Sequence, residues 1–584
     1  MKKTPFALPS ALALALLATP LASFATPPAA QSKHPTPPEV WKDYDPDAGD
    51  FKEEIISEET KDGIYYKDSY ISAYVNGEEV RVYCKYAVKA DAKNAPGLMN
   101  VHGWYAFPRL DMGLVNEGWA VLAHDYCGKK EGRAHYTKYP KELVYGNMDQ
   151  QSANPEGYRP FDPAQITKPS QAPDYLWYAI QRRALSYLLV QKEVDKKRIG
   201  AKGFSYGGSL MWNLGMDPRV KAVVAYFGSG WLNYYRDKGV WLYNNPYVEP
   251  AKTPAEEIIL ASVAPEAHSP YITAATLWLN GTNDHHGGHE RGEDNFKKFQ
   301  PGVPGDFALQ PRAHHDTSKL GNTANLWLDK HVLGKDIAWP ARPVSEIKLD
   351  AAGVPEFHVK PGSPEKIESL EVYACLKEPN NYARLWLDAK AEKKGDTWVA
   401  KIPVKNVDDY VFAFANLRYP GDIVISSDFT AAIPSKLGKA VATKVFAADG
   451  SDSWTDVDVV EVAGAKGLRP NQQQGAACML FGEAPRKAPE GAVMVFEFHC
   501  TEPQTFTLAV NGRYLADIEI KGSNDWQTLE IPAERLRFRA DGDPLKSWSD
   551  AKSTSLRPKQ APGITSNITW ITFKDPKWKV PRNE

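Results

Sequence analysis

Cysteine is scarce in this chain: Cys84, Cys127, Cys375, Cys478 and Cys500 are spread thinly over 584 residues. That density excludes a disulfide scaffold, and the odd count leaves at least one thiol unpaired within a monomer. Cys127 falls just past an expected strand, yet a small buried hydrophobe is the better reading of it than a nucleophile. An excess of one charge is missing too. With 70 Lys and Arg against 72 Asp and Glu, the formal net charge is -2, so neither nucleic acid nor an acidic membrane surface is indicated as a partner. Long apolar runs are also lacking. The run Ala11 to Ala18 is too short to span a bilayer. With Lys2 and Lys3 before it and Ser23-Phe24-Ala25 after it, residues 1–25 read as a secretory signal. No cysteine follows that cut to take a lipid. The expectation is an exported protein, periplasmic or extracellular, without a stable membrane anchor, whose residues 26–50 form a Pro-rich extended tether.

Aromatic side chains, by contrast, are plentiful, with 17 Trp and 28 Tyr. They can supply flat faces on which sugars stack, although most are expected in cores. The length predicts two to four domains. Alternating apolar positions on either side of Asn76-Gly77 predict a hairpin with a type I′ turn. Gly97–Val101, Trp119–Tyr126, Val220–Phe227, Ala275–Leu279 and Phe307–Gln310 are short apolar runs separated by helical patterns, as in a parallel sheet buried on both faces. Asp174 is placed as the cap of a helix running to Glu193, and Asn322–Leu333 as a further helix. From about Gly128 to Pro173 the sequence has no period and reads as a lid or substrate wall. After Pro340 the pattern changes to short alternating segments. The expected layout is an α/β catalytic domain over 51–337, with a mostly parallel sheet and helices on both faces. A small β-sandwich over 338–437 and a jelly-roll-like β domain over 438–584 follow. In the last of these, Trp526, Trp548, Trp570 and Trp578 are read mainly as packing residues.

One stretch organises the rest. Gly203-Phe204-Ser205-Tyr206-Gly207 sits between an expected strand and a helix ending at Gly215. Glycines flanking a serine in this way allow a turn sharp enough to hold a hydroxyl clear of the sheet. A serine hydroxyl needs a base within hydrogen-bond reach and an acid to orient that base. Asp284 follows its strand 79 residues after Ser205, and His314 follows the last strand 30 residues later, with His315 beside it. The order Ser, acid, His at strand ends is that of a serine hydrolase with this topology. Donors for an oxyanion are expected from the backbone N–H of Tyr206 and of Trp104, with Tyr105 as the alternative. Trp231, Tyr235 and Trp241, in an aromatic insertion after Phe227, are candidate substrate contacts. The histidines among residues 284–290 suggest a metal site, but Asp284 is already needed as the acid and no helical H-E-x-x-H is present, so no metal and no cofactor are expected.

The residues Val101 to Trp104, Gly118 to Tyr126, Gly203 to Gly208 and Asn280 to Asp284 together resemble the α/β-hydrolase superfamily, in the branch of dienelactone hydrolases, acetyl xylan esterases and prolyl-oligopeptidase-type peptidases. The likeness covers about Phe51 to Gly334. It implies Ser205 as nucleophile, Asp284 as acid, His314 before His315 as base, and Trp104 and Tyr206 as oxyanion donors. The function expected is hydrolysis of carboxylic esters through an acyl-enzyme, on a small ester or, for preference, an acylated polysaccharide. A prolyl-oligopeptidase-like peptidase and an inactive glycan-binding protein are the alternatives.

Overall fold

The computed structural model describes residues 33–104, 106–129, 132–140, 142–143, 166–230, 253–284, 286–376, 384, 386–443, 453–471, 475–478, 481, 486–561 and 564–580. Its largest element is a nine-stranded sheet made of β1 (Glu54–Lys61), β2 (Ile64–Val75), β3 (Glu78–Lys89), β4 (Ala95–Val101), β5 (Ala120–His124), β6 (Val194–Ser205), β7 (Ala222–Phe227), β8 (Ala275–Gly281) and β9 (Gly305–Gln310). The strand order is β1-β2-β3-β5-β4-β6-β7-β8-β9. From β5 to β9 every pairing is parallel, while β1, β2, β3 and β5 pair antiparallel. The sheet is therefore more mixed than the apolar runs indicate. β1 escapes sequence reading because it is an exposed edge with no alternation of apolar residues.

The β2–β3 hairpin closes as expected. Val75 pairs with Glu78 across Asn76 and Gly77, whose φ of 54° and 87° are the left-handed pair that a type I′ turn requires. β4, β5, β7 and β8 are almost wholly buried, which explains their continuous apolar runs. The helices Pro173–Leu189 and Tyr206–Leu214 pack into one hydrophobic cluster with Met99, Leu122 and Ala201 of the sheet. Trp327 and Leu328 of the helix Thr323–His331 join a second cluster with Leu98, Ala222 and Leu277, covering the other face.

Four local expectations are corrected. The first long helix ends at Leu189, not Glu193, and its cap is Ala172, so Asp174 is released for another contact. Gly215, which as a glycine just past a helix is expected to be left-handed, closes the helix after Ser205 with right-handed φ (-62°). Ile568–Phe573, whose apolar residues predict one β segment, is a 3₁₀ turn followed by a two-residue strand. Residues 35–50 do not form an extended tether. The indole of Trp41 is buried and stacks on Tyr175 at 4.6 Å, the Tyr44 hydroxyl donates to the Ala179 carbonyl, and Arg183 donates to the carbonyls of Pro46 and Gly49. A single large apolar ring is enough to dock a segment that proline content alone would extend.

All-β sheets follow the α/β domain. One four-stranded and one five-stranded sheet lie between Val344 and Ala432, and two six-stranded sheets lie between Trp454 and Lys579. All five cysteines are buried and none forms a disulfide. In the last sheets Trp548 is buried and Trp578 packs against it at 5.6 Å, whereas Trp570 is 54% exposed. Among the described residues no helix is long and apolar enough to cross a membrane.

Candidate active site

Ser205 stands where β6 gives way to the helix Tyr206–Leu214, with φ 58° and ψ -121°. A non-glycine residue held there costs about 1–3 kcal/mol and persists only where its surroundings enforce it. The enforcement is steric. A Cβ on Gly203 would lie 2.1 Å from the Gly207 carbonyl oxygen, one on Gly207 would lie 2.5 Å from the His102 carbonyl oxygen, and one on Gly208 would lie 2.2 Å from the Tyr226 carbonyl oxygen. The helix start is thereby pressed onto the ends of β4 and β7, and the half-buried Ser205 side chain is left at the tip.

Asp284 is completely buried just after β8. Its Oδ1 accepts from the backbone N–H groups of His286 (2.6 Å) and Gly287 (2.7 Å), and its Oδ2 lies 2.5 Å from His315 Nδ1. The expected His314 is not the imidazole placed on the acid: His314 Nδ1 lies 2.9 Å from the Asn283 carbonyl oxygen, and the imidazole that meets Asp284 is that of His315. After β9, Arg312 takes a left-handed φ of 60°, and the turn delivers the second histidine to Asp284. Two adjacent imidazoles carry no sequence signal that separates them.

The His315 ring also stacks on Phe227, with centroids 3.9 Å apart. Phe227 is the register partner of Ser205 across β6 and β7, and neighbouring strands run about 4.8 Å apart. Serine, acid and imidazole therefore gather at one edge of the sheet. Phe227, itself at φ 69°, was not singled out from sequence, though its place at the end of the strand next to the serine is the signal that marks it.

The loop after β4 lies against the serine: a Cβ on Gly103 would come within 2.9 Å of Ser205 Cβ. This brings the Trp104 backbone beside the helix N-terminus that carries the Tyr206 N–H. Behind the loop, His102 stacks on Tyr126 at 4.6 Å, and the Tyr126 hydroxyl donates to the His102 carbonyl. His102, Asp125 and Cys127 bring potential metal-ligating atoms within 4.8 Å of one another. The Asp125 carboxylate, however, already accepts from Arg133 Nη1 (2.9 Å) and from the backbone of Thr137 (2.7 Å) and Gly128 (3.1 Å). Burial alone would push its pKa up, but these partners and His102 hold it below the usual aspartate range. A carboxylate saturated by a guanidinium and amides braces this loop and the start of the segment after Gly128. In the 284–290 loop His286 approaches Ser209 Oγ and His289 approaches the Thr282 carbonyl, so these two rings diverge. Tyr105, His285, Trp231, Tyr235 and Trp241 lie outside the described residues.

Two further features were not legible in sequence. The acid loop and the histidine loop are tied to the following β region. Asn283 Nδ2 donates to the Arg384 carbonyl (2.6 Å), and Arg312 donates through Nε to the Trp386 carbonyl and through Nη2 to Asp388 (both 2.8 Å). The second feature is Asp174, which accepts a hydrogen bond from the Tyr206 hydroxyl. Asp174 keeps some exposed surface, yet its carboxyl is desolvated enough to raise its pKa to about 6, with the nearby Glu266 adding to the rise and the Tyr206 bond opposing it. The folded protein thus prefers the neutral acid. This contribution to stability is fully present below about pH 4, the unfolded value, and is lost as pH rises to about 6. Asp174→Asn keeps an acceptor for Tyr206 but does not ionise. Relative to wild type, the variant is expected to gain roughly 1–3 kcal/mol between pH 4 and pH 7. Thermal unfolding of the two proteins across that range checks this, and a difference that does not vary with pH contradicts it.

The fold and site define a hydrolase-type α/β domain with a large mixed sheet. Residues 87–315 match the sequence model of the Dienelactone hydrolase family. No curated protein shows significant similarity to the chain. Among solved structures, acetyl xylan esterase 1 from Thermoanaerobacterium sp. JW/SL YS485 is similar over 50% of this chain and 90% of its own, with 16% identity and a TM-score of 0.39. An acetyl xylan esterase from Paenibacillus sp. R4 is similar over 49% and 90%, with 18% identity and a TM-score of 0.39. A puromycin-hydrolyzing peptidase from Mycobacterium tuberculosis is similar over 46% and 39%, with 15% identity and a TM-score of 0.30. Likenesses at this level do not separate esters from amides.

Proposed function

We propose that this chain is an exported serine hydrolase that cleaves carboxylic esters on acylated glycans, removing a short acyl group such as acetyl. The observation that carries the reading is the pairing of His315 with the buried Asp284, on the Phe227 ring that adjoins the strained Ser205. With Nδ1–H donated to Asp284, His315 accepts the Ser205 proton at Nε2 as Oγ bonds to the ester carbon. The N–H groups of Tyr206 and Trp104 stabilise the resulting oxyanion. The carbon–oxygen bond to the alcohol then breaks, and the imidazolium gives its proton to the departing oxygen. Water adds to the acyl-enzyme, its proton passes to His315, and collapse releases the acid and returns the proton to Ser205. No further co-reactant enters.

A short acyl group fits the aromatic crowding on the donor side, where the Trp104 and Trp177 rings each approach the Tyr206 ring at 5.1 Å. The test is product release from two substrate panels, acetylated oligosaccharides and dipeptide amides. Acetate release exceeding amine release by roughly a hundredfold or more in kcat/KM is expected. Preferential amine release would turn the assignment to a peptidase.

A further inference from the structure

In the proposed reaction the histidine returns its proton to the leaving alcohol, so the alcohol half of the substrate must lie on the His315 side of Ser205. The donor side, with Tyr206 and Trp104, takes the acyl half. On the histidine side there is a groove of about 600 Å³, within the range of sites that hold a small-molecule ligand. One wall is the segment 310–320, including His314 and His315, and the other comes from the following β region, with Ser369, Glu371, Asn416 and Arg418.

We propose that this groove is the alcohol-side subsite and that it takes a neutral, hydroxyl-rich chain, an oligosaccharide; this rests on the ester-hydrolase reading and names where its glycan lies. The lining chemistry carries the choice. Lys319 and Arg418 bring donors, Asp316 and Glu371 bring acceptors, and Ser318 and Ser369 bring both. Mixed groups of this kind match hydroxyls, each of which donates and accepts. A fatty chain would leave them unsatisfied, and a polyanion would meet the carboxylates of Asp316, Glu371 and Asp456. The Tyr373 ring stacks on Phe414 at 5.2 Å, and its hydroxyl donates to Glu371 (2.8 Å). Recognition on this wall is therefore by hydrogen bonds and not by ring stacking.

The wall is also fixed in place. Leu309 N donates to Ser426 Oγ (2.8 Å), Asn416 Nδ2 to the Leu309 carbonyl (2.8 Å) and Val424 N to Thr323 Oγ1 (2.9 Å), so the β region is bonded directly to β9 and the helix beside it. A rigid second wall spares the ordering that binding would otherwise cost. The β sheets supply the second wall that makes this edge a groove.

The test is calorimetric titration of the whole protein with unacylated xylotetraose, cellotetraose and mannotetraose, alongside tetragalacturonate and octanol. At least one neutral tetrasaccharide is expected to bind, with Kd raised roughly tenfold or more in Glu371→Ala and in Lys319→Ala, as loss of a hydrogen bond to a charged group requires. Absence of neutral-sugar binding, affinities unchanged in both variants, or tighter binding of tetragalacturonate or octanol would overturn the proposal. The readout does not depend on turnover. A protein that binds the sugar but releases no acyl group would refute the esterase reading alone, and an active esterase that binds no sugar would refute the groove alone.

Discussion

Replacement of His315 by alanine is expected to lower kcat on p-nitrophenyl acetate by about four orders of magnitude or more, whereas His314→Ala lowers it by no more than about tenfold. The asymmetry follows from where the two rings are held. His315 has the buried Asp284 at 2.5 Å and Phe227 beneath it, in register with Ser205. His314 Nδ1 lies instead 2.9 Å from the backbone carbonyl oxygen of Asn283. Loss of one hydrogen bond to a neutral carbonyl is worth about 1 kcal/mol, a few-fold in rate. Free imidazole added to His315→Ala is expected to restore part of the rate, a readout that a merely structural role would not give. Equal losses in the two variants, or a larger loss in His314→Ala, would return the assignment to the order that family resemblance suggests.

Ser205→Ala carries the second large effect, a fall in kcat of about four to six orders of magnitude. The substitution removes one oxygen from a position whose backbone is imposed by Gly203, Gly207 and Gly208, so unfolding stability is expected to stay within about 1 kcal/mol of wild type. Stopped-flow and steady-state hydrolysis, with thermal unfolding on the same samples, separate loss of the nucleophile from loss of the fold. The residual rate reports what the Tyr206 and Trp104 donors contribute by themselves.

The elbow was legible because its glycines are demanded by backbone contacts that no side chain can occupy, and the acid because an apolar strand ends one turn before it. The parallel strands were legible from apolar runs that are buried on both faces. The antiparallel edge was less so, since β1 is solvent-exposed and has no pattern to read. The choice between His314 and His315 depends on a single left-handed residue, Arg312, and an arginine does not announce that conformation. Trp41 shows the same limit: proline content suggested a tether over residues 26–50, yet one indole docks its described part. The bonds from Asn283 to Arg384 and from Arg312 to Trp386 join residues 101 and 74 positions apart, and nothing local marks such partners. The pairing of Asp174 with Tyr206 was hidden for a simpler reason. An aspartate near a helix start is ordinarily a cap, and here Ala172 holds the cap position while the carboxyl turns to a tyrosine beside the nucleophile.

The central claim is that Ser205 becomes acylated during turnover. Treatment with a fluorophosphonate, followed by digestion and mass spectrometry, tests it most directly. The account predicts one phosphonyl group per chain, on the peptide that contains Ser205, with labelling lost in Ser205→Ala and strongly slowed in His315→Ala. Labelling that persists in Ser205→Ala, or that falls on another residue in the wild-type protein, would contradict it.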